Sequence, residues 1–298
     1  MARLVIAVAS LLIAGGSAAC GRPAAEPPAV FALASAGDFR EIAISCPVRG
    51  DFASDTTTYY SQFYEDYVLA YVFADVKSGV YVDVGANDPD RASVTKRLYL
   101  KGWSGVNIEP NSELLAAFAG RRARDENVGV GIGDAPGRLR FYRFTGDASG
   151  LSTFDPAIAR THRRAGFHYD ELDVRVTTLT DVLDRSPRID GAFELLNVDV
   201  EGFERQVLSG LDFKKYPPAV VMVEATAPLT EQPTEHLWQD VLLRAGYAFA
   251  MDDGLNRYYI GPAAHTLQTK FIEADFCVRI DKASKGISLD GLFDHPSR

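Results

Sequence analysis

Two kinds of hydrophobic pattern alternate along residues 59–261. Short runs that are almost wholly apolar predict buried strands. Between them, apolar residues recur every three or four positions, which predicts amphipathic helices. Strands that are apolar on both faces are typical of a parallel sheet covered by helices on each side, so the pattern predicts an α/β fold. The predicted strands are 79–85, 104–110, 127–134, 192–202 and 218–225.

Other segments complete this scheme. Helices are predicted at 59–76, 88–103, 111–124, 178–186, 203–213 and 235–247. Asp88, followed by Pro89, and Asn111 are the expected capping residues of two of them. Alternating runs at 137–144 and 172–178 predict added strands, and 247–261 predicts a closing hairpin. Residues 145–170 show no regular pattern and are interpreted as an irregular insertion.

Composition and charge narrow the class of protein. The 298 residues are 47% hydrophobic and 24% charged, which is typical of a globular protein with a sizeable core. A formal net charge of −9 argues against a nucleic-acid partner, which normally requires a basic face. The basic run 120–124 is interpreted as a solvated helix end.

The chain has three cysteines and no CxxC pair, so no zinc site is expected. Cys46 and Cys277 could form a disulfide or stay free thiols.

The first 45 residues differ from the rest. Residues 1–20 place a short apolar run between Arg3 and small residues, which is typical of a secretory signal, and the end of this run resembles a lipoprotein box at Cys20. Residues 21–45 are rich in proline and alanine and predict a flexible linker, so the folded domain is expected at 46–298. The alternatives are an uncleaved membrane anchor with the domain facing the cytoplasm, and a misassigned start of a cytoplasmic protein.

Four of the predicted strands end in acidic residues. Ligands of open α/β sheets bind outside the carboxyl ends of the strands, so these acids are expected to meet at one site. Glu109 lies 24 positions after Gly85, a spacing at which nucleotide-binding βαβ units place an acid on the ribose hydroxyls. The acids are Asp83, Glu109, the pair Asp199 and Glu201, and Glu224, which is expected to close the floor of the pocket.

The loop after the first strand suggests the kind of ligand. It has only Gly85 where the dinucleotide pattern requires three glycines, and Asp83 and Asp88 flank it. Carboxylates repel pyrophosphate, whereas S-adenosylmethionine has ribose and adenine, no phosphate, a cationic amine and a cationic sulfonium. Asp83 is expected to bind the amine, and Gly85 to let the backbone approach the amino-acid end of the cofactor.

Several motifs between residues 58 and 261 carry a family resemblance. They include YVDVGANDP at 81–89, GLSTF at 150–154, NVDVEGFERQVLSGLDF at 197–213 and VVMVEATAP at 220–228. In this order and spacing they resemble the FkbM-type S-adenosylmethionine-dependent methyltransferases. The resemblance implies a class I methyltransferase (Rossmann-like) fold, with a mostly parallel seven-stranded sheet, helices on both faces and one reversed strand at the sheet edge.

The resemblance also implies roles for individual residues. Asp83, Gly85 and Asn87 would belong to the loop that binds the cofactor, S-adenosyl-L-methionine, and Glu109 would hold its ribose. Asp134 would border the adenine. In the family the fourth strand usually reads Lys-Ile-Asp-Val-Glu-Gly, and here Asn197 stands in place of the lysine.

Asp199 and Glu201 are the candidate catalytic residues. Two positions apart on a strand, they are expected to point to the same side. One would orient the methionine amine or the acceptor, and the other would take the proton of an acceptor hydroxyl. A different interpretation is that Glu201 only begins the next helix, where an acid is favoured by the helix dipole. Ligation of a metal by the pair is a further alternative, although no metal site is predicted.

Three functions are compatible with these features. The favoured one is O-methylation of a hydroxyl on a sugar, glycolipid or small metabolite, so the expected partner is a small-molecule or glycan acceptor. Association with a membrane through the N-terminal segment is a further expectation. The alternatives are a non-catalytic exported lipoprotein that keeps the fold as a binding module, and an NAD-dependent oxidoreductase, which the missing glycines disfavour. Ser152 and Thr153 are expected to line the acceptor site, and His162 is expected on the surface.

Overall fold

The computed structural model describes residues 41–44, 55–58, 60–63, 65–230 and 232–284. The leader predicted at 1–20 lies outside these residues, as does most of the linker predicted at 21–45. No helix among the described residues combines the length and the apolar character that crossing a membrane requires. Cys277 is disulfide-bonded and is therefore not a free thiol, whereas Cys46 lies outside the described residues.

The elements follow the chain in an alternating order of strands and helices. The strands are β1 (Glu41–Ile44), β2 (Asp55–Thr58), β3 (Val80–Val84), β4 (Ser104–Ile108), β5 (Glu126–Val128), β6 (Gly131–Ile132), β7 (Gly137–Arg143), β8 (Asp170–Thr177), β9 (Phe193–Val198), β10 (Pro218–Glu224), β11 (Ala248–Asp252) and β12 (Asn256–Ile260). The helices are α1 (Glu65–Val72), α2 (Lys96–Leu100), α3 (Ser112–Arg121), α4 (Pro156–Arg164), α5 (Leu179–Leu183), α6 (Glu204–Ser209), α7 (Gln239–Arg244) and α8 (Gln268–Ser284).

The central sheet has seven strands in the described part of the chain, in the order β11-β12-β10-β9-β3-β4-β5. All neighbours pair in parallel except β12, which runs antiparallel to both β10 and β11. The predicted α/β class with a mostly parallel seven-stranded sheet is therefore confirmed, and the reversed strand is second from the edge. The strand order changes direction between β3 and β9, and such switch points are where α/β sheets bind ligands.

Helices cover both faces of this sheet. Side chains alternate along a strand, so Leu195 of β9 belongs to one hydrophobic cluster and Leu196 to the other. The first cluster is closed by α1 and α8, which contribute Tyr67 and Phe271. The second is closed by α5, α6 and α7. This two-sided burial explains why the strands are apolar on both faces. A separate three-stranded sheet, β6-β8-β7, holds the alternating runs predicted as added strands.

The helix predicted at 88–103 is wrong over its first half, because only α2 at Lys96–Leu100 is helical. Asp88 caps no helix. Its carboxylate instead accepts the backbone N–H groups of Asp90 and Arg91 in a turn. The segment is held by Arg122, whose guanidinium is fully buried and donates to the carbonyl oxygen of Pro89 at 2.7 Å. Arg122 is thus a structural residue, and the interpretation of 120–124 as a solvated helix end is wrong for it.

The antiparallel pair β1 and β2 was not predicted, and β1 falls within the predicted linker 21–45. Two helical segments were not predicted either. The insertion at 145–170 contains α4, whose capping residue Asp155 accepts the N–H groups of Ala157 and Ile158. Asp followed by Pro156 is a helix-start signal, but the polar composition of α4 hides its periodicity. The second segment is α8, which lies beyond the predicted closing hairpin. Asn111, by contrast, caps α3 as predicted, accepting the N–H of Glu113.

A buried polar network joins α1 to the turn between β11 and β12. Asn256 Nδ2 donates to Glu65 Oε1 at 3.2 Å, and the backbone N–H of Phe63 donates to Glu65 Oε2 at 2.8 Å. Tyr258 Oη donates to Asp253 Oδ2 at 2.7 Å. Burial, and secondarily the Asp253 carboxylate, raises the pKa of Glu65 from 4.5 to about 8. The folded protein therefore keeps a proton on Glu65 that the unfolded chain releases.

The stability of the fold is expected to fall as pH rises from about 5 to about 8, because the folded state then binds more protons than the unfolded state. The raised pKa of Glu65 makes the stability it contributes greatest at acid pH and smallest above pH 8. Glu65→Gln keeps an acceptor for Phe63 but removes this titration. Its melting temperature should therefore drop less over this pH range than that of the wild type, measured by calorimetry. An unchanged pH profile would show that Glu65 is ionised in the fold.

Candidate functional site

A cleft with about 500 Å³ of open space lies at the carboxyl ends of β3, β4 and β9. Its polar side is formed by the strand ends, where Gly85, Glu109 and Asp199 meet. The insertion contributes Ser149 and Ser152 to the rim. The apolar wall is formed by Val130, Ile132, Phe141, Phe154 and Phe203.

Gly85 allows two strand ends to touch at the floor of the cleft. Its φ of +85° lies in the left-handed region, and a Cβ at this position would stand 1.8 Å from the carbonyl oxygen of Asp199. The N–H of Asp199 donates to the carbonyl oxygen of Val84 at 3.1 Å. No side chain larger than hydrogen fits there, so the glycine brings the ends of β3 and β9 together.

Glu109 is buried in the cleft and orders the loops around it. Its Oε2 accepts the N–H of Asn87 at 3.0 Å, and its Oε1 accepts the N–H of Asn111 at 2.7 Å. Burial raises the pKa of Glu109 from 4.5 to about 7. Each carboxylate oxygen keeps a second lone pair, so the group can also accept hydrogen bonds from ligand hydroxyls.

Asn87 ties the strand-end loop to the insertion. Its backbone is left-handed at φ +49°, which asparagine tolerates better than most residues. Its Oδ1 accepts a hydrogen bond from Ser149 Oγ at 2.9 Å. The structure therefore brings Gly85, Asn87 and Glu109, all predicted to bind the cofactor, to one cleft.

Asp83 lies beneath the cleft and is not one of its lining residues. Only 3% of the residue is exposed, and its two carboxylate oxygens accept hydrogen bonds from Thr95 Oγ1 and Asn197 Nδ2, both at 2.8 Å. Burial raises the pKa of Asp83. The amide that replaces the family's usual lysine at Asn197 is thus a direct, uncharged partner of Asp83. Direct binding of the cofactor amine by Asp83 stays a prediction, and this placement favours support of the loop.

Three other residues do not lie where the sequence analysis expected them. Asp134 is exposed and does not line the cleft, whereas Val130 and Ile132 do. Its role beside the adenine stays a prediction, and its exposed position does not favour that role. Thr153 is fully buried and donates from Oγ1 to the carbonyl oxygen of Glu201, whereas Ser152 does line the cleft. His162 is fully buried, so the expectation of a surface histidine is wrong.

Burial of His162 follows from aromatic packing. Its ring packs edge-on against Phe144 and more distantly against Phe167, with centroid distances of 5.5 and 6.4 Å. The burial lowers the pKa of the imidazole. Because His162 does not line the cleft, it is not positioned to act as the base there.

Asp199, Glu201 and Glu224 converge beside the cleft. One carboxylate oxygen from each lies within 4.8 Å of the others. The expected reason, alternation along a strand, is wrong because β9 ends at Val198. Glu201 instead stands in a left-handed turn at φ +53°, which returns its side chain toward Asp199. Of the three acids, only Asp199 lines the cleft, so the expectation that Glu224 closes the pocket floor stays a prediction that its position does not favour.

The carboxyl groups of Asp199, Glu201 and Glu224 are buried close together, and their pKa values are raised. Burial, and then the Asp83 carboxylate, raises the pKa of Asp199 to about 6. Burial and the neighbouring acids raise the pKa of both Glu201 and Glu224 well above the usual range. Asp199 and Glu224 share a hydrogen bond with each other. A cleft lined in this way suits a ligand that brings positive charge and hydroxyl groups.

Comparison with known proteins gives a family match for this region. The family model described as methyltransferase FkbM domain matches residues 83–249, which is more than half of the chain. The matched segment includes Gly85, Glu109, Asp199 and Glu224, and so contains the strand ends that form the cleft. None of the curated proteins matches the chain.

Proposed function

We propose that the chain, which belongs to the FkbM methyltransferase family and is a methyltransferase, uses S-adenosylmethionine to methylate a hydroxyl oxygen. The observation that carries this proposal is the cleft itself, which places Glu109 and Asp199 at the ends of parallel strands on either side of a single glycine. Such a cleft favours a cofactor with hydroxyls and positive charge over one with phosphates.

The residues present fit this cofactor in their chemistry. Glu109 would accept hydrogen bonds from the ribose hydroxyls, as its two oxygens are already oriented by Asn87 and Asn111. Gly85 lines the cleft with its backbone, beside which the amino-acid end would lie. The apolar wall around Ile132 and Phe154 offers a surface for the flat adenine. Asp199 would face the positive charge of the ligand.

The protein must then align an acceptor and take its proton. When bound, the cofactor supplies a methyl group to the acceptor oxygen and leaves as a neutral thioether, so the hydroxyl proton must go to a base. Alignment of the reacting atoms supplies much of the rate in such displacements. Asp199 lines the cleft and Glu201 stands beside it without lining the cleft, so Asp199 is the better placed base. The pKa of about 6 of Asp199 suits a base that is ionised near neutral pH.

The acceptor class follows from what borders the acid cluster. Ser149 and Ser152 of the insertion line the same cleft as Asp199, and these polar groups suit hydroxylated acceptors. We therefore favour a hydroxyl of a sugar, a glycolipid or a small metabolite as the methylated group, in line with the sequence-based expectation.

Calorimetry on the whole chain with S-adenosylmethionine, S-adenosylhomocysteine and NAD tests the cofactor. Binding of the first two in the micromolar range without NAD binding is expected, and the reverse would overturn the proposal. Transfer of a labelled methyl group to a panel of hydroxylated glycans and of amines tests the acceptor atom. Label found only on nitrogen would contradict O-methylation while leaving the cofactor assignment intact.

A further inference from the structure

We propose that Asp199, Glu201 and Glu224 bind a divalent metal ion at the edge of the cofactor cleft, and that this ion holds the acceptor hydroxyl. The role in methylation rests on the proposed function, whereas the binding of the ion does not. Asp199 lines the cleft, so an ion bound to it lies next to the space in which the acceptor would enter.

The distances within the cluster suit one shared ion. The three contributing carboxylate oxygens lie within 4.8 Å of one another. Two oxygens on opposite sides of a bound Mg²⁺ stand about 4 Å apart, and those around Ca²⁺ about 5 Å apart. Small side-chain rotations would therefore bring all three oxygens onto one ion, without movement of the strands that carry them.

An independent observation concerns Glu201. Its Oε2 is buried and has no hydrogen-bond partner among the described residues. A buried carboxylate oxygen without a partner is costly, so its environment calls for a cation or a donor. The backbone of Glu201 is fixed, because Thr153 Oγ1 donates to its carbonyl oxygen at 2.7 Å. The turn that carries the Glu201 side chain is thus held in place beside the cluster.

The surrounding charges point the same way. Besides one another, the charged groups that act on the three carboxylates are the acids Asp83 and Glu204. A divalent ion would offset the negative charge that the three carboxylates bring together. Oxygen ligands alone, from carboxylates and water, favour Mg²⁺ or Mn²⁺ over softer metals.

Such an ion would give the cluster a defined part in the reaction. A hydroxyl bound to a divalent cation loses its proton more readily than a free one. A carboxylate that binds through one oxygen keeps its second oxygen available to accept that proton. The ion would also fix the position of the acceptor, and an acceptor with two neighbouring hydroxyls could bind it through both.

Titration of the whole protein with Mn²⁺, with free Mn²⁺ measured by electron paramagnetic resonance, tests the site. About one ion per chain is expected, and Glu201→Gln and Glu224→Gln should each weaken its binding at least tenfold, because each removes a charged ligand. The matched control is Glu113→Gln, an exposed acid outside the cleft that pairs with Arg143, which should change the affinity less than threefold. Melting temperatures of the variants verify that each is folded.

The two proposals fail in different ways. Glu109→Gln should lose S-adenosylmethionine binding and keep Mn²⁺ binding. No binding of Mn²⁺ by a protein that binds S-adenosylmethionine would overturn the metal site alone. Mn²⁺ binding that Glu201→Gln and Glu224→Gln leave unchanged would also overturn it, since the ion would then bind elsewhere. Methylation that is unaffected by a chelator would refute the role of the ion in catalysis.

Discussion

Glu109→Ala is expected to weaken S-adenosylmethionine binding about 100-fold, measured by calorimetry on the whole chain. Hydrogen bonds to a charged acceptor are each worth about 1.5–3 kcal/mol, and the substitution removes the acceptor for the ribose hydroxyls. It also removes the acceptor that Glu109 provides for the N–H groups of Asn87 and Asn111, so the loop itself loses support. The two effects act in the same direction.

Glu113→Ala is the matched control for this experiment. Glu113 lies four positions further on, in the first turn of α3, and its exposed carboxylate pairs with Arg143 outside the cleft. Its loss should change cofactor affinity less than twofold. If both variants bind the cofactor as the wild type does, Glu109 is not the ribose ligand and the ligand lies elsewhere in the cleft.

Gly85→Ala is expected to destabilise the fold by about 2–5 kcal/mol and to abolish cofactor binding. The left-handed φ of +85° costs about 1–2 kcal/mol for a residue with a Cβ. Overpacking adds about 1–3 kcal/mol, because the Cβ would stand 1.8 Å from the carbonyl oxygen of Asp199 and would push the ends of β3 and β9 apart. Denaturant unfolding measures the loss of stability, and calorimetry measures the loss of cofactor binding.

Gly102→Ala separates the backbone contribution to this loss of stability from the overpacking contribution. Gly102 has a φ of +100° but nothing within 4 Å of an added Cβ, so only the backbone cost of about 1–2 kcal/mol applies. Cofactor binding should be retained in this variant. Equal destabilisation of the two proteins would mean that the ends of β3 and β9 move apart easily, and that the contact at Gly85 is unimportant.

The sheet could be predicted from the sequence because its strands are buried on both faces. A short, continuous apolar run such as β10 is typical of a buried strand, and alternation with helices then predicts the parallel order. The segment 88–95 could not be predicted in this way. Its conformation depends on Arg122, more than 25 positions away, whose buried guanidinium satisfies the carbonyl oxygen of Pro89. No local pattern reveals such a partner.

The residues of the candidate site, like the elements of the fold, could be predicted only where the local sequence determines their position. The loop residues Gly85 and Asn87 and the strand-end acid Glu109 could be predicted, because spacing along a βαβ unit fixes where they lie. Asp199 and Glu201 lie close together as expected, but the expected reason was wrong. A left-handed turn, and not alternation along a strand, brings them together. Whether Asp83 and Asp134 face the cleft depends on side-chain packing, which spacing does not specify.

The helices α1 and α8 lie outside the matched segment 83–249, yet they cover one face of the sheet. Phe271 of α8 and Val68 of α1 are fully buried against that face, and the two helices contact each other. A fragment cut at the family boundaries would also lose β12, most of β11 and the first three residues of β3. The matched segment is therefore not an autonomous folding unit, and the helices on either side of it in the chain join to make the domain one cooperative body.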